Sequence, residues 1–234
     1  MPKPALTIPA LLDRLEEFYG QQEACWPVDP YEFIVWWHCG YPAGDVACAK
    51  GWQRLTSEVG IETHRLLKAS PARLASALKA GGMVPELRAL RLQEIALRVE
   101  NEFGGDLRTA LAGRVSDARK TLKKFPGIAD PGVDRILLFA GIAPLAAVAS
   151  NCPHVLVRIL RGKEDENYGA NYRTAQQAIM AQMPEKFDAR TRAYLLLKRH
   201  GQEICMRSNP KCDKCPVNSY CAFFAGQRRG VPVS

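Results

Sequence analysis

The segment CMRSNPKCDKCPVNSYC, residues 205–221, places four cysteines with six, two and five residues between them. Two prolines turn the chain between these cysteines. Four thiols this close in sequence are typical of a metal centre. Zinc sites usually take their ligands from two separated pairs, whereas iron–sulfur centres often take theirs from one loop. The spacing therefore favours a four-iron four-sulfur (4Fe-4S) cluster over zinc, with the ligands Cys205, Cys212, Cys215 and Cys221.

The composition indicates a globular protein in a reducing compartment. The chain has 234 residues, of which 47% are hydrophobic, enough to bury a core. The remaining cysteines are scattered among apolar residues, which predicts packed thiols rather than disulfides. No apolar run is long enough for a signal peptide or for the roughly 20 residues of a membrane span. We expect a soluble, cytoplasmic protein with no membrane partner.

The positive charge is concentrated near the carboxyl terminus. The formal net charge is +8, and residues 190–234 hold nine Lys or Arg against two acidic residues. A basic segment beside a cysteine loop predicts a polyanionic partner, with nucleic acid as the leading candidate. Arg207, Lys211 and Lys214 lie inside the loop, where an ordered backbone would hold them in place. A solvated charged tail is the alternative.

Helix punctuation recurs along the whole chain, and no segment sustains the period-two alternation of a strand. Thr7 is a predicted cap and Gly20 a predicted stop for the first helix. Asp29 and Glu32 form a predicted capping box for an apolar second helix, which should be central. The fold class is therefore all-α. Further helices are expected at 45–59, 70–80, 85–103, 116–124, 130–140, 151–160, 172–182 and 189–200.

The cysteine loop resembles that of the endonuclease III-like helix-hairpin-helix DNA glycosylases, which carry an iron–sulfur cluster loop. The segment LKKFPGIADPGVDRILLFAG, residues 122–141, resembles the helix-hairpin-helix of the same superfamily. The resemblance implies a six-helix lobe at 26–140 with the hairpin at about 116–140, and a cluster lobe made of 1–25 and 141–234. It also implies that double-stranded DNA with a damaged base or abasic site lies in the cleft between the lobes.

The resemblance further implies which residues contact DNA. In the family, backbone N–H groups of the hairpin turn bind a phosphate, commonly with a monovalent cation, which suits a helix start. The corresponding residues are Gly127 and Ala129; the family usually has glycine at the second position, and alanine tolerates positive φ less well. A second loop would wedge into the duplex, with Tyr41 and Pro42 at its tip. The remaining expected DNA contacts are Asn151, His154, Arg207, Lys211 and Lys214.

The two residues that define the family's chemistry are absent. The lyase lysine position is occupied by Pro131, so a Schiff base by the family route is not expected. The position of the catalytic aspartate falls on Ala149, which has no carboxylate. Asp134, one turn after Pro131, is a candidate replacement, although a carboxylate near a helix start is more simply explained by the helix dipole.

Three functions remain open from the sequence. The first is a monofunctional DNA N-glycosylase of base excision repair that uses a relocated acid. The second is a non-catalytic reader of damaged or distorted DNA, and the third, the weakest, is an electron-exchange protein. In each case we expect a monomer, associated with the nucleoid if the source is bacterial.

Overall fold

The computed structural model describes residues 6–228 and contains helices and no strands over that range. The all-α fold class is confirmed. The α-helices in chain order are α1 (Ile8–Tyr19), α2 (Pro30–His38), α3 (Asp45–Glu58), α4 (Thr63–Lys68), α5 (Pro71–Leu78), α6 (Pro85–Phe103), α7 (Leu107–Ala110), α8 (Val115–Leu122), α9 (Asp130–Phe139), α10 (His154–Arg161), α11 (Tyr168–Gln182), α12 (Phe187–Glu203) and α13 (Ala222–Arg228). Short 3₁₀ helices lie at Lys79–Gly81, Cys212–Lys214 and Asn218–Tyr220.

The chain divides into two compact units. The hairpin unit consists of residues 24–142 and contains α2 to α9. The cluster unit consists of residues 6–23 and 143–228 and contains α1 and α10 to α13. The hairpin unit therefore has eight α-helices, whereas six were expected. The two additional helices, α4 and α7, are short, with six and four residues.

The core of the hairpin unit is built around α2, as its apolar sequence predicts. Asp29 Oδ1 accepts hydrogen bonds from the N–H groups of Tyr31 and Glu32, which caps the helix start. A second buried feature was not predicted: Arg88 of α6 is fully buried. Its guanidinium donates to four backbone carbonyls. These belong to Cys39 after α2, Leu78 at the end of α5, and Gly82 and Met83 before α6. Arg88 thus joins α2, α5 and the start of α6.

In the cluster unit, α1 packs against α11 and α12, and α10 packs against α11, α12 and α13. The hydroxyl of Thr7 accepts from Ala10 N–H and Gly20 ends the helix, as expected. Three helices differ from the expectation at their boundaries. Helix α10 begins at His154, after the predicted start at 151, and α11 begins at Tyr168, four residues early. Helix α12 runs Phe187–Glu203 rather than 189–200. No helix within residues 6–228 is long and apolar enough to cross a membrane.

Candidate functional site

The four cysteines of the loop line one small cavity in the cluster unit. Ile159, Ile204, Phe223 and Phe224 form apolar parts of the same cavity. Burial raises the pKa of the Cys205 thiol to about 12 and that of Cys215 to about 11. Burial also raises the pKa values of Cys212 and Cys221. Free thiolates are therefore unfavourable here, whereas metal binding replaces the proton and supplies the missing positive charge.

The lining of this cavity is chemically suited to an iron–sulfur cluster. All four loop thiols line it, and cysteine thiolates are the ligands that hold such clusters.

Side chains of α10 hold the start of the cysteine loop. His154 Nε2 lies 2.7 Å from the carbonyl oxygen of Cys205. Arg158 donates to the carbonyls of Met206 and Arg207 at 2.8 and 3.0 Å, and its guanidinium pairs with Glu164 at 2.7 Å. His154 is 1% exposed. The imidazole is thus enclosed and anchors the loop, and its expected contact with DNA stays a prediction.

The basic residues of the loop are accessible. Arg207, Lys211 and Lys214 are all exposed. Arg207 Nε lies 4.0 Å from Glu164 Oε2, a weak pairing that leaves its guanidinium open to another anion. Asn151 is also exposed, whereas its neighbour Cys152 is buried and its thiol contacts the Lys198 carbonyl at 3.7 Å. Cys152 is thus a packed thiol.

The hairpin turn in the hairpin unit joins α8 to α9. Gly127 has φ +69°, a left-handed conformation that favours glycine. Ala129 has φ −109° and ψ −179°, an extended conformation that alanine adopts without strain. Ala129 is also the N-cap, so α9 begins at Asp130, as expected, and Pro131 is its second residue. Among the described residues no side chain caps this helix start, which leaves backbone N–H groups for an anion.

Acidic and basic side chains surround the same turn. The Asp130 carboxylate pairs with Lys123 at 2.6 Å and with Arg119 at 3.3 Å. Arg119 also pairs with Asp134, which is 1% exposed. The Asp134–Arg119 ion pair therefore links α9 to α8. This structural role explains the buried carboxylate without a catalytic one.

The loop at 40–44 lies beside the hairpin turn. Tyr41 stacks on Trp37, with ring centroids 4.8 Å apart, and Pro42 is exposed. A Cβ added to Gly127 would lie 3.9 Å from Tyr41 Cε1 and 3.7 Å from His38 Nε2. His38 is fully buried, its Nδ1 lies 2.8 Å from the Ile34 carbonyl, and burial lowers its pKa to about 4. The structure thus brings Tyr41 and Gly127 together beside a neutral histidine.

A cluster of aromatic rings around Arg135 was not predicted from the sequence. Arg135 of α9 is 5% exposed, and its guanidinium carbon lies 3.8 Å from the Trp26 ring centroid. The rings of Phe33, Trp36 and Trp37 surround it at 4.8 to 5.8 Å. Asp45 lies 3.8 Å from the same guanidinium. Gly44 is the N-cap of α3, and Asp45 is its first helical residue. An arginine within the apolar run of α9, together with the tryptophans of α2, was the available signal.

The two positions expected to correspond to catalytic residues hold Pro131 and Ala149, which have neither an amine nor a carboxylate in their side chains. Pro131 lies in the first turn of α9 and supplies no amine. Ala149 is 4% exposed, and its carbonyl accepts the N–H of Cys152 at 2.8 Å. The methyl group of Ala149 is therefore packed rather than presented to solvent.

Comparison with known proteins agrees with this description. Residues 205–221 match the family model described as the iron-sulfur binding domain of endonuclease III. The structure is similar to that of an endonuclease III–DNA complex, with a TM-score of 0.74 at 16% identity, covering 95% of this chain and 97% of the other. It is also similar to a thermostable thymine-DNA glycosylase, with a TM-score of 0.72 at 20% identity, covering 93% and 96%. The chain thus has the fold of the helix-hairpin-helix DNA glycosylases and an endonuclease III-type iron–sulfur loop.

Among individual proteins, the chain is similar to endonuclease III. It is 29% identical over 111 residues to endonuclease III of Buchnera aphidicola subsp. Baizongia pistaciae, covering 47% of this chain and 48% of that protein. It is 28% identical over 107 residues to endonuclease III of Rickettsia felis, covering 45% and 46%. The matched region spans about half the length of these curated relatives.

Proposed function

We propose that the chain binds double-stranded DNA at a damaged base or abasic site and extrudes a nucleotide, as a monomer in the cytoplasm. The observation that carries the proposal is the hairpin turn. Gly127 at φ +69° directs the chain into an uncapped α9, whose first N–H groups and positive dipole end suit a phosphate. Beside it, the half-buried Tyr41 and the exposed Pro42 form the loop that would enter the stack. The turn would also hold a monovalent cation, whose charge would favour a bound phosphate.

The ion pairs at the turn offset the acidic side chains there. The Asp130 carboxylate alone would repel an anion at the start of α9. Lys123 and Arg119 both pair with that carboxylate, and Arg119 also pairs with Asp134, so two positive side chains balance two negative ones. Arg119 is shared with buried Asp134, however, which makes Lys123 the side chain with most charge to offer a phosphate. Lys123 is also exposed.

In the cluster unit we assign Arg207, Lys211 and Lys214 to further phosphates, with Asn151 as a polar contact. All four side chains are exposed, and the first three belong to the loop that the cluster holds in place. Four thiolates on a 4Fe-4S core of charge about +2 leave a net charge near −2. The basic residues offset this charge and present the loop as a cationic surface.

A 4Fe-4S cluster held by Cys205, Cys212, Cys215 and Cys221 would supply a rigid crosslink between the loop and the end of α12, not a reacting group. The purified chain should be brown and contain about four irons and four sulfides per molecule. A colourless protein with stoichiometric zinc would overturn this assignment.

We further propose that base excision is very slow or absent and that no lyase reaction occurs. Pro131 cannot form a Schiff base, and a buried Ala149 cannot stabilise positive charge on the sugar. Asp134 is enclosed and paired with Arg119, which argues against its use as a relocated acid. These features favour a non-catalytic reader of damaged DNA over a glycosylase with relocated chemistry.

Two glycines provide a matched test of the hairpin. Gly127 has φ +69° and Gly104, at the end of α6, has φ +60°; added Cβ atoms meet no atom within 3.4 Å at either site. Gly127→Ala and Gly104→Ala should therefore impose similar backbone strain. We expect Gly127→Ala alone to weaken binding to an abasic-site duplex, by roughly tenfold if one phosphate hydrogen bond is lost. Equal affinity in both variants would contradict the assignment of the turn.

A further inference from the structure

A hydrogen-bonded chain of three side chains leads from the surface of the cluster unit to one of the loop cysteines. Tyr19, the last residue of α1, has its hydroxyl 3.0 Å from His200 Nδ1. The opposite ring nitrogen, His200 Nε2, lies 3.6 Å from the Cys215 sulfur. His200 is fully buried in α12, whereas Tyr19 is only partly covered. Each nitrogen of the imidazole therefore has a hydrogen-bond partner.

The chemistry of the sulfur decides how the protons are placed. A thiolate that ligates iron carries no proton, so it can only accept a hydrogen bond. Nε2 must then carry the proton that points to Cys215. In the neutral ring, Nδ1 has a lone pair and accepts the Tyr19 hydroxyl. The Tyr19 bond thus selects the tautomer and the ring orientation that the sulfur needs, as outer partners of metal-ligating groups commonly do.

The contact at Cys215 differs in kind from those at the start of the loop. His154 and Arg158 bind backbone carbonyls of the 205–207 turn, and the charged Arg158 side chain also hydrogen-bonds the Cys205 thiol. At Cys215 the sulfur is reached instead by a ring nitrogen of His200. A hydrogen bond to a ligand sulfur withdraws electron density and stabilises the more reduced form of a cluster.

We propose that His200, oriented by Tyr19, donates a hydrogen bond to the Cys215 ligand and thereby raises the reduction potential of the iron–sulfur cluster. His200 and Tyr19 are positioning residues in this role, and neither reacts. The inference rests on the proposed cluster. The couple is a single electron exchanged between an electrode and the cluster, with no bond of the protein broken.

The test uses the full chain with its cluster and compares four variants with the unaltered protein. Tyr19→Phe removes only the hydroxyl that orients His200. His200→Leu removes the donor, and His200→Gln keeps an N–H donor at a reach similar to that of Nε2. Tyr220→Phe is the matched control, because its hydroxyl contacts Arg14 at 3.2 Å and it adjoins Cys221, another ligand of the loop.

Iron, sulfide and visible absorption are measured first, so that failure of the cluster assignment is distinguished from failure of this inference. The midpoint potential is then measured by voltammetry. His200→Leu should lower the midpoint potential. At a fixed applied potential, the ratio of oxidised to reduced cluster should then rise by roughly threefold to tenfold, which corresponds to the free energy of one hydrogen bond. Tyr19→Phe should move the ratio in the same direction by less, and His200→Gln should restore most of it. Tyr220→Phe should leave it unchanged.

The inference is overturned if a cluster is present and the Tyr19→Phe and Tyr220→Phe proteins have the same potential. It is equally overturned if His200→Gln shifts the potential as far as His200→Leu does, because the effect would then follow from packing rather than from the donor. If His200→Leu does not assemble a cluster, the comparison between the two tyrosine variants decides.

Discussion

Acid should weaken the hairpin unit through His38. Its ring is fully buried, and burial lowers its pKa from 6.5 to about 4 in the folded chain. The unfolded chain therefore takes up a proton at a higher pH than the folded chain does. This group has no effect on stability above pH 6.5, and stability is lost as the pH falls from 6.5 to 4. With 1.36 kcal/mol per pKa unit, the loss by pH 4 is about 3 kcal/mol.

The assay follows unfolding of the hairpin unit by tryptophan fluorescence in urea at several pH values. All four tryptophans lie in residues 24–142, so the signal reports that unit alone. His38→Asn keeps a donor for the Ile34 carbonyl but cannot be protonated, and should therefore flatten the pH dependence by about 3 kcal/mol over this window. His64→Asn, at an exposed histidine of α4, should leave the dependence unchanged. If the free energy of unfolding falls with pH in the same way for the unaltered chain and for His38→Asn, His38 is not the group that causes the loss.

Three further outcomes are expected. Lys211→Ala and Lys214→Ala should each reduce the slope of log affinity against log salt by about one unit, whereas Lys68→Ala on α4 should not; identical slopes in all three, measured by fluorescence anisotropy, would remove the loop from the DNA face. If the rest of the pocket is intact, Ala149→Asp should raise single-turnover base release on at least one lesion by roughly a hundredfold, because it places a carboxylate at the expected catalytic position; no gain across a broad panel would show that the missing carboxylate alone does not account for slow base release. Arg88→Met should lower the free energy of unfolding by about 3 kcal/mol or more, since it leaves buried carbonyls without their charged donor, and urea denaturation that detects no loss would contradict its joining role.

Much of the fold could be predicted because its signals are local. The start of α6 at Pro85 and its end before Gly104 follow from the conformations that proline and glycine favour. The cap at Asp29 depends on a side chain two and three residues from the N–H groups it accepts. By contrast, α4 has six residues, too few for a helical period to stand out from noise.

The uses of buried polar side chains could not be predicted, since they depend on partners far along the chain. His154 is enclosed by a contact with Cys205, 51 residues away, and Arg88 reaches Cys39 across 49 residues. Arg135 is stabilised by rings from α2 and from Trp26. The four loop cysteines were identifiable because a metal centre leaves a spacing in the sequence, whereas a hydrogen bond to a distant carbonyl leaves none.

A parallel measurement of binding and base release by the unaltered chain on a panel of damaged duplexes tests the proposed function most directly. We expect tighter binding to lesion or abasic-site duplexes than to undamaged DNA, with no appreciable base release in single turnover and no adduct trapped by borohydride. Rapid release from a lesion, abolished by Asp134→Asn while binding persists, would contradict this proposal and would identify the carboxylate paired with Arg119 as the catalytic group.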